Sequence, residues 1–141
     1  IGARAKNITE ESVSDYVLGY TLLNDVTARD LQRRDVQFTR GKGFDTFGPC
    51  GPWIDTEFVP REQTLTVRVN DELRQIGSLK DMIFSPANLV ARISQIMTLE
   101  PGDIVSTGTP AGVGPLKPGD SVEVSIEGLG VLSNHVKHAP T

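Results

Sequence analysis

One seven-residue form occurs twice, as Leu99-Glu-Pro-Gly-Asp103-Ile-Val105 and as Leu116-Lys-Pro-Gly-Asp120-Ser-Val122. A Pro-Gly pair sets a tight turn, because proline fixes φ and glycine takes positive φ at no steric cost. Both copies read as turns feeding strands. The echo is too short to establish a duplicated fold unit. The same punctuation runs along the whole chain, with 14 glycines and 9 prolines among 141 residues, where about 12% is usual. Frequent turns mean short strands, so the expected class is α+β, mainly β, with a few short helices.

The length suits a single domain, residues 1–141. A net charge of −4 argues against a nucleic-acid grip, which wants a basic face. No apolar run approaches the ~20 residues of a bilayer span, so neither nucleic acid nor membrane is an expected partner. One cysteine leaves no internal disulfide and no Cys-rich zinc site, and points to a cytoplasmic protein. The chain opens on Ile1 without a signal-like segment. It reads as a piece of something longer.

Local patterns place the elements. Thr9 caps a helix to about Val17, with Glu10 and Glu11 in its first turn. Residues 20–24 form a strand ending at Asn24-Asp25. Thr27-Ala-Arg-Asp30 fits a capping box, so a helix runs from Ala28 to near Asp35. Residues 36–52 read as loop. Leu65, Val67 and Val69 alternate in a half-buried strand. Asn70-Asp71 turns it back into 72–76. Ser85-Pro86 opens the longest helix, with Leu89, Ile93, Ile96 and Met97 on one face. Residues 103–107, 121–126 and 130–136 are the closing strands.

Three stretches could carry chemistry. In Asn24-Asp-Val-Thr-Ala-Arg-Asp-Leu-Gln32, Asp25 ends a strand, and Arg29 and Gln32 share a helix face three residues apart. A carboxylate for a cation would then lie beside an Arg–Gln pair for an anion. On local grounds alone an ordinary turn followed by surface ion pairs is the favoured reading. Lys42, between two glycines in Arg40-Gly-Lys-Gly-Phe-Asp-Thr46, is either a cation reaching into a cleft or a solvated loop lysine. Thr107-Gly-Thr-Pro-Ala-Gly-Val-Gly114 is either an anion cradle of backbone N–H groups or a plain turn. Its spacing is not that of a dinucleotide loop. His135 and His138, near the C-terminus, are not read as catalytic. Cys50 reads as a small buried residue, and Trp53 as packed on the core.

Taken in order, GYTLLNDVTARDLQ, GKGFDTFGPCGPW, MIFSP and LEPGDIVSTGTPAGVGPLKPGD resemble the fumarylacetoacetate hydrolase family. The resemblance covers residues 6–135. It is strongest to the bacterial branch of 2-hydroxyhepta-2,4-diene-1,7-dioate and 5-carboxymethyl-2-hydroxymuconate isomerases, which shades into acylpyruvate and fumarylpyruvate hydrolases and oxaloacetate decarboxylases. It implies the C-terminal domain of that family, a mixed β-roll or β-sandwich, Mg²⁺ or Mn²⁺, a keto-acid substrate, a homodimer and a role in aromatic-compound or keto-acid catabolism. By the same resemblance Asp25 binds the metal, Arg29, Gln32 and Thr109 contact substrate, and Lys42 is the active-site lysine. Thr46 falls in the metal neighbourhood. The family's Glu-x-Glu metal ligands and its His–Glu catalytic pair belong upstream of Ile1 and are not in these residues.

Two functions are therefore set against each other. The first is a metal-dependent enzyme acting on 2-oxo or 2-enol carboxylates by hydrolysis, decarboxylation or isomerisation. Its electron sink is the enolate, with Lys42 as a neighbouring positive charge. The alternative is a non-catalytic β-roll that binds a small acid or assembles, lacking a complete metal site.

Overall fold

The computed structural model describes residues 1–138. Six strands and three α-helices follow in the order β1 (Tyr20–Leu23), α1 (Arg29–Asp35), α2 (Thr39–Lys42), β2 (Cys50–Asp55), β3 (Thr64–Val69), β4 (Glu72–Ser78), α3 (Pro86–Ile96), β5 (Ser121–Ile126) and β6 (Gly130–His135). The class is the expected one, mostly antiparallel strand with short helices.

The larger sheet has the order β4-β3-β5-β6 and is antiparallel throughout. Its hairpin β3–β4 turns at Asn70 and Asp71, both at positive φ (51° and 66°). That conformation matches the strands' right-handed twist. Val67 pairs with Val124, and Val124 with Leu132, so apolar side chains stack along one face. Leu22 of β1 closes onto that face with Val124, Leu129 and Leu132. The smaller sheet contains β1 and β2 alone. Gly19 lets them approach, since a Cβ there would lie 2.4 Å from the Asp55 carbonyl oxygen.

A second core joins α3 to the N-terminal arm through Ala5, Ile8, Val13, Val90, Ala91 and Leu99. Ser85 caps α3 as expected, its Oγ accepting from the Asn88 N–H at 3.0 Å, with Pro86 in the first turn. The buried face differs in part from the expected one, of which Ile93 packs half-buried on this core. Its buried residues are Val90, Ala91 and Ser94, while Ile96 and Met97 stand 72% and 56% exposed. The arm explains this, because its backbone binds α3 directly. Ser94 Oγ accepts from the Ile8 N–H at 3.1 Å and donates to the Ala91 carbonyl at 2.7 Å. Small side chains at 91 and 94 permit that approach, whereas longer ones would hold the arm away.

Several local expectations are corrected. Residues Glu10–Asp15 form a 3-10 helix, and the Thr9 side chain makes no cap bond. Ala28, not Thr27, precedes α1, because the Thr27 hydroxyl donates to the Asp25 carbonyl at 3.0 Å instead. The 36–52 stretch contains α2 and the start of β2. Cys50 is exposed, since β2 is bonded on one edge and little covers its outer face. Trp53 is 56% exposed. Its ring lies over Gly130, where a Cβ would come within 2.7 Å.

Both Pro-Gly-Asp turns form, and they are the same turn. Asp103 Oδ2 accepts from the Glu100 N–H, and Asp120 Oδ2 from the Lys117 N–H, each at 2.7 Å. The returning backbone bonds, Asp103 to Glu100 and Asp120 to Lys117, are both 3.0 Å. Gly102 and Gly119 sit at φ 95° and 98°. The second turn leads into β5. The first leads into residues 104–107, which are not a strand. That expectation fails because, among the described residues, no backbone neighbour bonds them.

Candidate active site

The chain leaves β1 at Leu23 and turns sharply. The Asn24 N–H donates to the Pro49 carbonyl, and the Val26 N–H to the Asn24 carbonyl, each at 2.9 Å. This turn sets Asp25 at the head of α1. Helix α2 folds back on α1 through the Ala28 N–H, which donates to the Gly41 carbonyl at 2.8 Å. Gly41 is the contact point. A Cβ there would lie 3.3 Å from both the Ala28 carbonyl and the Gln32 Cβ. The glycine before Lys42 thus serves helix packing as much as loop freedom. The turn between the helices is clasped by Arg40, whose Nε and Nη2 each meet an Asp35 oxygen at 2.6 Å. Hydrogen bonding to Arg40 holds the Asp35 carboxyl below the usual range, and the same bond raises the Arg40 guanidinium.

The result is a small polar cluster. The Lys42 ammonium donates to Asp25 Oδ2 and to Thr27 Oγ1 at 3.3 Å. Arg29 Nη1 donates to Gln32 Oε1 at 2.7 Å, so the pair shares a face as the spacing predicts. A cavity of about 750 Å³ opens beside the cluster, lined by Asp25, Arg29, Thr46, Arg74, Gln75 and His135 among others. Thr46 is a β-branched residue at φ 69°, a sparsely populated conformation. It shares the cavity wall with Asp25. His135, not read as catalytic, is a wall of this cavity.

Thr109 stands apart from the Asp25–Lys42 contact and is tied to the cavity through Gln75. Gln75 Nε2 donates to Thr109 Oγ1 at 2.8 Å and to the Pro110 carbonyl at 2.6 Å. Gln75 is buried while its neighbour Ile76 is 60% exposed. This polar-in, apolar-out inversion within one strand was the signal that sequence reading passed over. The glycine loop is pressed on the same strand. A Cβ at Gly112 would lie 2.1 Å from the Arg74 carbonyl oxygen, and its φ is 105°.

The cluster offers a cation, a hydroxyl, a guanidinium–amide pair and one carboxylate. Among the described residues no group of three or more His, Cys, Asp or Glu side chains is placed to hold a metal ion. Mg²⁺ and Mn²⁺ want several oxygen ligands, and Asp25 alone does not make that set. The residues here fit one corner of a metal site, not the whole of it.

The chain belongs to the fumarylacetoacetate (FAA) hydrolase family. The model for that family's C-terminal domain matches residues 1–137. It is 45% identical over 146 residues to the oxaloacetate tautomerase YisK of Bacillus subtilis, covering 96% of this chain and 48% of that protein. It superposes on the 5-carboxymethyl-2-hydroxymuconate delta-isomerase from Mycobacterium smegmatis with a TM-score of 0.97 and 43% identity, covering 100% of this chain and 56% of that one. It also matches the fumarylpyruvate hydrolase of Pseudomonas aeruginosa in complex with Mn²⁺ and pyruvate, with a TM-score of 0.92, 36% identity and coverage of 99% and 62%. The chain spans about half the length of the curated relatives it matches.

Proposed function

We propose that the whole protein, as a homodimer, is an enzyme acting on small 2-oxo or 2-enol carboxylates through an enolate. The observation that carries this reading is the Lys42 ammonium seated on Asp25 and Thr27, with the Arg29–Gln32 pair on the helix that packs against Gly41. A 2-oxo carboxylate presents a carboxylate and a ketone oxygen on adjacent carbons. Arg29 suits the carboxylate, as a guanidinium makes charge-assisted, paired hydrogen bonds to it. Gln32 fixes the Arg29 rotamer. Lys42 suits the ketone oxygen. When a general base takes the C3 proton, the C–H electron pair moves through C2 onto that oxygen, and a nearby ammonium stabilises the charge. Protonation of the oxygen gives the enol. Breaking a C–C bond at C3 would send electrons to the same place, so isomerase, decarboxylase and hydrolase chemistry share this sink. Gln75 and Thr109 position the glycine loop against the cavity, which orients the substrate tail.

Relatives named as an oxaloacetate tautomerase and as a fumarylpyruvate hydrolase holding Mn²⁺ and pyruvate support the reading. In the whole protein Asp25 would be one ligand of a Mg²⁺ or Mn²⁺ ion, and the other ligands would come from outside these residues. The test is steady-state turnover of oxaloacetate keto–enol exchange and of acylpyruvate cleavage by the whole protein. Arg29→Lys keeps the charge and loses the fork. It is expected to raise KM on the order of 10-fold, with a smaller loss in kcat. Absence of turnover on every 2-oxo acid, with pyruvate still bound, would favour the non-catalytic acid-binding module.

A further inference from the structure

The β3–β4 ladder breaks once. Val67 pairs with Gln75 and Arg68 with Leu73, so Arg74 is an extra residue between them, a β-bulge. The break decides which way position 75 faces. Leu73, 43% exposed, shares the outer face with Arg68. Side chains alternate along a strand, so strict alternation from Leu73 would turn residue 75 outward as well. The bulge turns it inward instead, opposite Val67 on the core face, and Gln75 is 8% exposed. An amide buried in this way needs partners.

The partners lie on the glycine loop. Gln75 Nε2 is 2.6 Å from the Pro110 carbonyl oxygen and 2.8 Å from Thr109 Oγ1. A carbonyl only accepts, so the amide atom facing Pro110 is the nitrogen. Its two hydrogens are then both given, one to Pro110 and one to Thr109. Thr109 Oγ1 therefore accepts on the strand side and keeps its own proton to donate. Thr109 is exposed, which leaves that proton open to a ligand. The loop around it is pinned to β4. A Cβ at Gly77 would lie 2.9 Å from Pro110 Cβ, and one at Gly112 would collide with the Arg74 carbonyl oxygen.

We propose that Gln75 is a positioning residue that sets specificity through Thr109. It commits the Thr109 hydroxyl to donating, so position 109 takes an acceptor oxygen of the ligand, a carboxylate or ketone oxygen, in preference to an N–H donor. The bulge at Arg74 is what aims the amide. A hydroxyl free to rotate would serve either kind of ligand atom, and fixing it would cost entropy on binding. With Gln75 in place the donor is set before the ligand arrives. The proposal rests on the reading of Thr109 as a substrate contact and adds to it which way that contact's hydrogen bond runs.

A double-mutant cycle in the whole protein tests this, with the Kd of oxaloacetate by calorimetry, kcat for its keto–enol exchange, and Tm read for each variant. Thr109→Val keeps the shape and removes the hydroxyl, and is expected to raise Kd on the order of 10-fold. Gln75→Met removes the amide at similar length. It should raise Kd about 5- to 10-fold in the parent, with a smaller change in kcat. In Thr109→Val the same change should move Kd less than about 2-fold, because no hydroxyl is left to set. In Thr109→Ser, which keeps a hydroxyl, the full effect of Gln75→Met should return. If Gln75→Met does not fold, Gln75→Asn, whose shorter side chain withdraws the amide from Thr109, runs the same cycle. Effects of the two positions that simply multiply would overturn the proposal, leaving Gln75 as a support of the loop and Thr109 as a separate contact. An unchanged Kd in Thr109→Val would overturn the reading of Thr109 itself, and the proposal with it.

Discussion

The two Pro-Gly-Asp turns have the same hydrogen bonds to within 0.1 Å and nearly the same glycine φ, yet only one of them leads into a strand. After Asp120 the chain enters β5 and finds β3 on one side and β6 on the other. After Asp103 it continues with no backbone partner for residues 104–107 among the described residues. A turn is a local object, satisfied by its own Asp and Gly, whereas a strand exists only when a neighbour supplies the other half of the ladder. The difference extends to the two regions those turns serve. The four-stranded sheet is closed upon its own core. The two-stranded sheet pairs each strand on one edge only, and the chain leaves β1 at Leu23 for the polar cluster at Asp25.

If that contrast is right, substitutions in the closed region act on stability and those at the polar cluster act on chemistry. The largest stability effect is expected at Leu132, buried among Leu22, Val124 and Leu129. Leu132→Ala should cost about 2–5 kcal/mol in chemical denaturation of the whole protein, and the surviving folded fraction should keep its KM. A KM shift would show that the two regions are not separable. Next come the turn glycines. Nothing lies within 4 Å of a Cβ at either Gly102 or Gly119, so alanine meets backbone strain alone, about 1–3 kcal/mol at each. Equal costs would confirm that the turns are local. A cost confined to Gly119 would mean the first turn is held by something else.

The smallest effect separates the turns by their surroundings. Asp120 also accepts from Asn70 Nδ2 at 2.8 Å, which ties the second turn to the β3–β4 hairpin. Its bond from the Lys117 backbone, reinforced by Asn70, holds the carboxyl below the usual range. A carboxyl lowered in the folded state stabilises fully above its unfolded pKa, near 3.9, and that contribution is lost as pH falls through the folded value. Stability below about pH 4 should therefore decline less steeply in Asp120→Asn than in the parent, read from denaturation midpoints across pH. An identical acid limb would remove Asp120 from the account.

Much of this was legible in the sequence, for reasons that separate cleanly. The Asn70-Asp71 hairpin, the Ser85-Pro86 helix start and both Pro-Gly-Asp turns depend on a few adjacent residues, and they stand as read. Lys42 meets Asp25 because α1 and α2 pack at Gly41, which spacing alone could only half suggest, and Arg29 pairs with Gln32 on the face their spacing predicts. Most of the misreadings depended on distant partners. The buried face of α3 is chosen by the arm at Ala5–Ile8 rather than by its longest apolar side chains. Thr27 gives its hydroxyl to Asp25 rather than to a helix N–H. Cys50 and Trp53 are exposed because β2 lies at the edge of a two-stranded sheet. Gln75, the inward polar residue that holds Thr109, was hidden by a strand that reads apolar at Ile76.

The proposed role of Lys42, as the charge beside the enolate oxygen, is reached most directly by one comparison. Turnover of the whole protein on a 2-oxo acid would be measured for the parent and for Lys42→Ala, with Mn²⁺ binding by calorimetry and Tm recorded on the same samples. The account predicts a fall in kcat on the order of 100- to 1,000-fold, with metal binding and Tm nearly unchanged. Turnover equal to the parent would contradict it and leave Lys42 as a structural partner of Asp25.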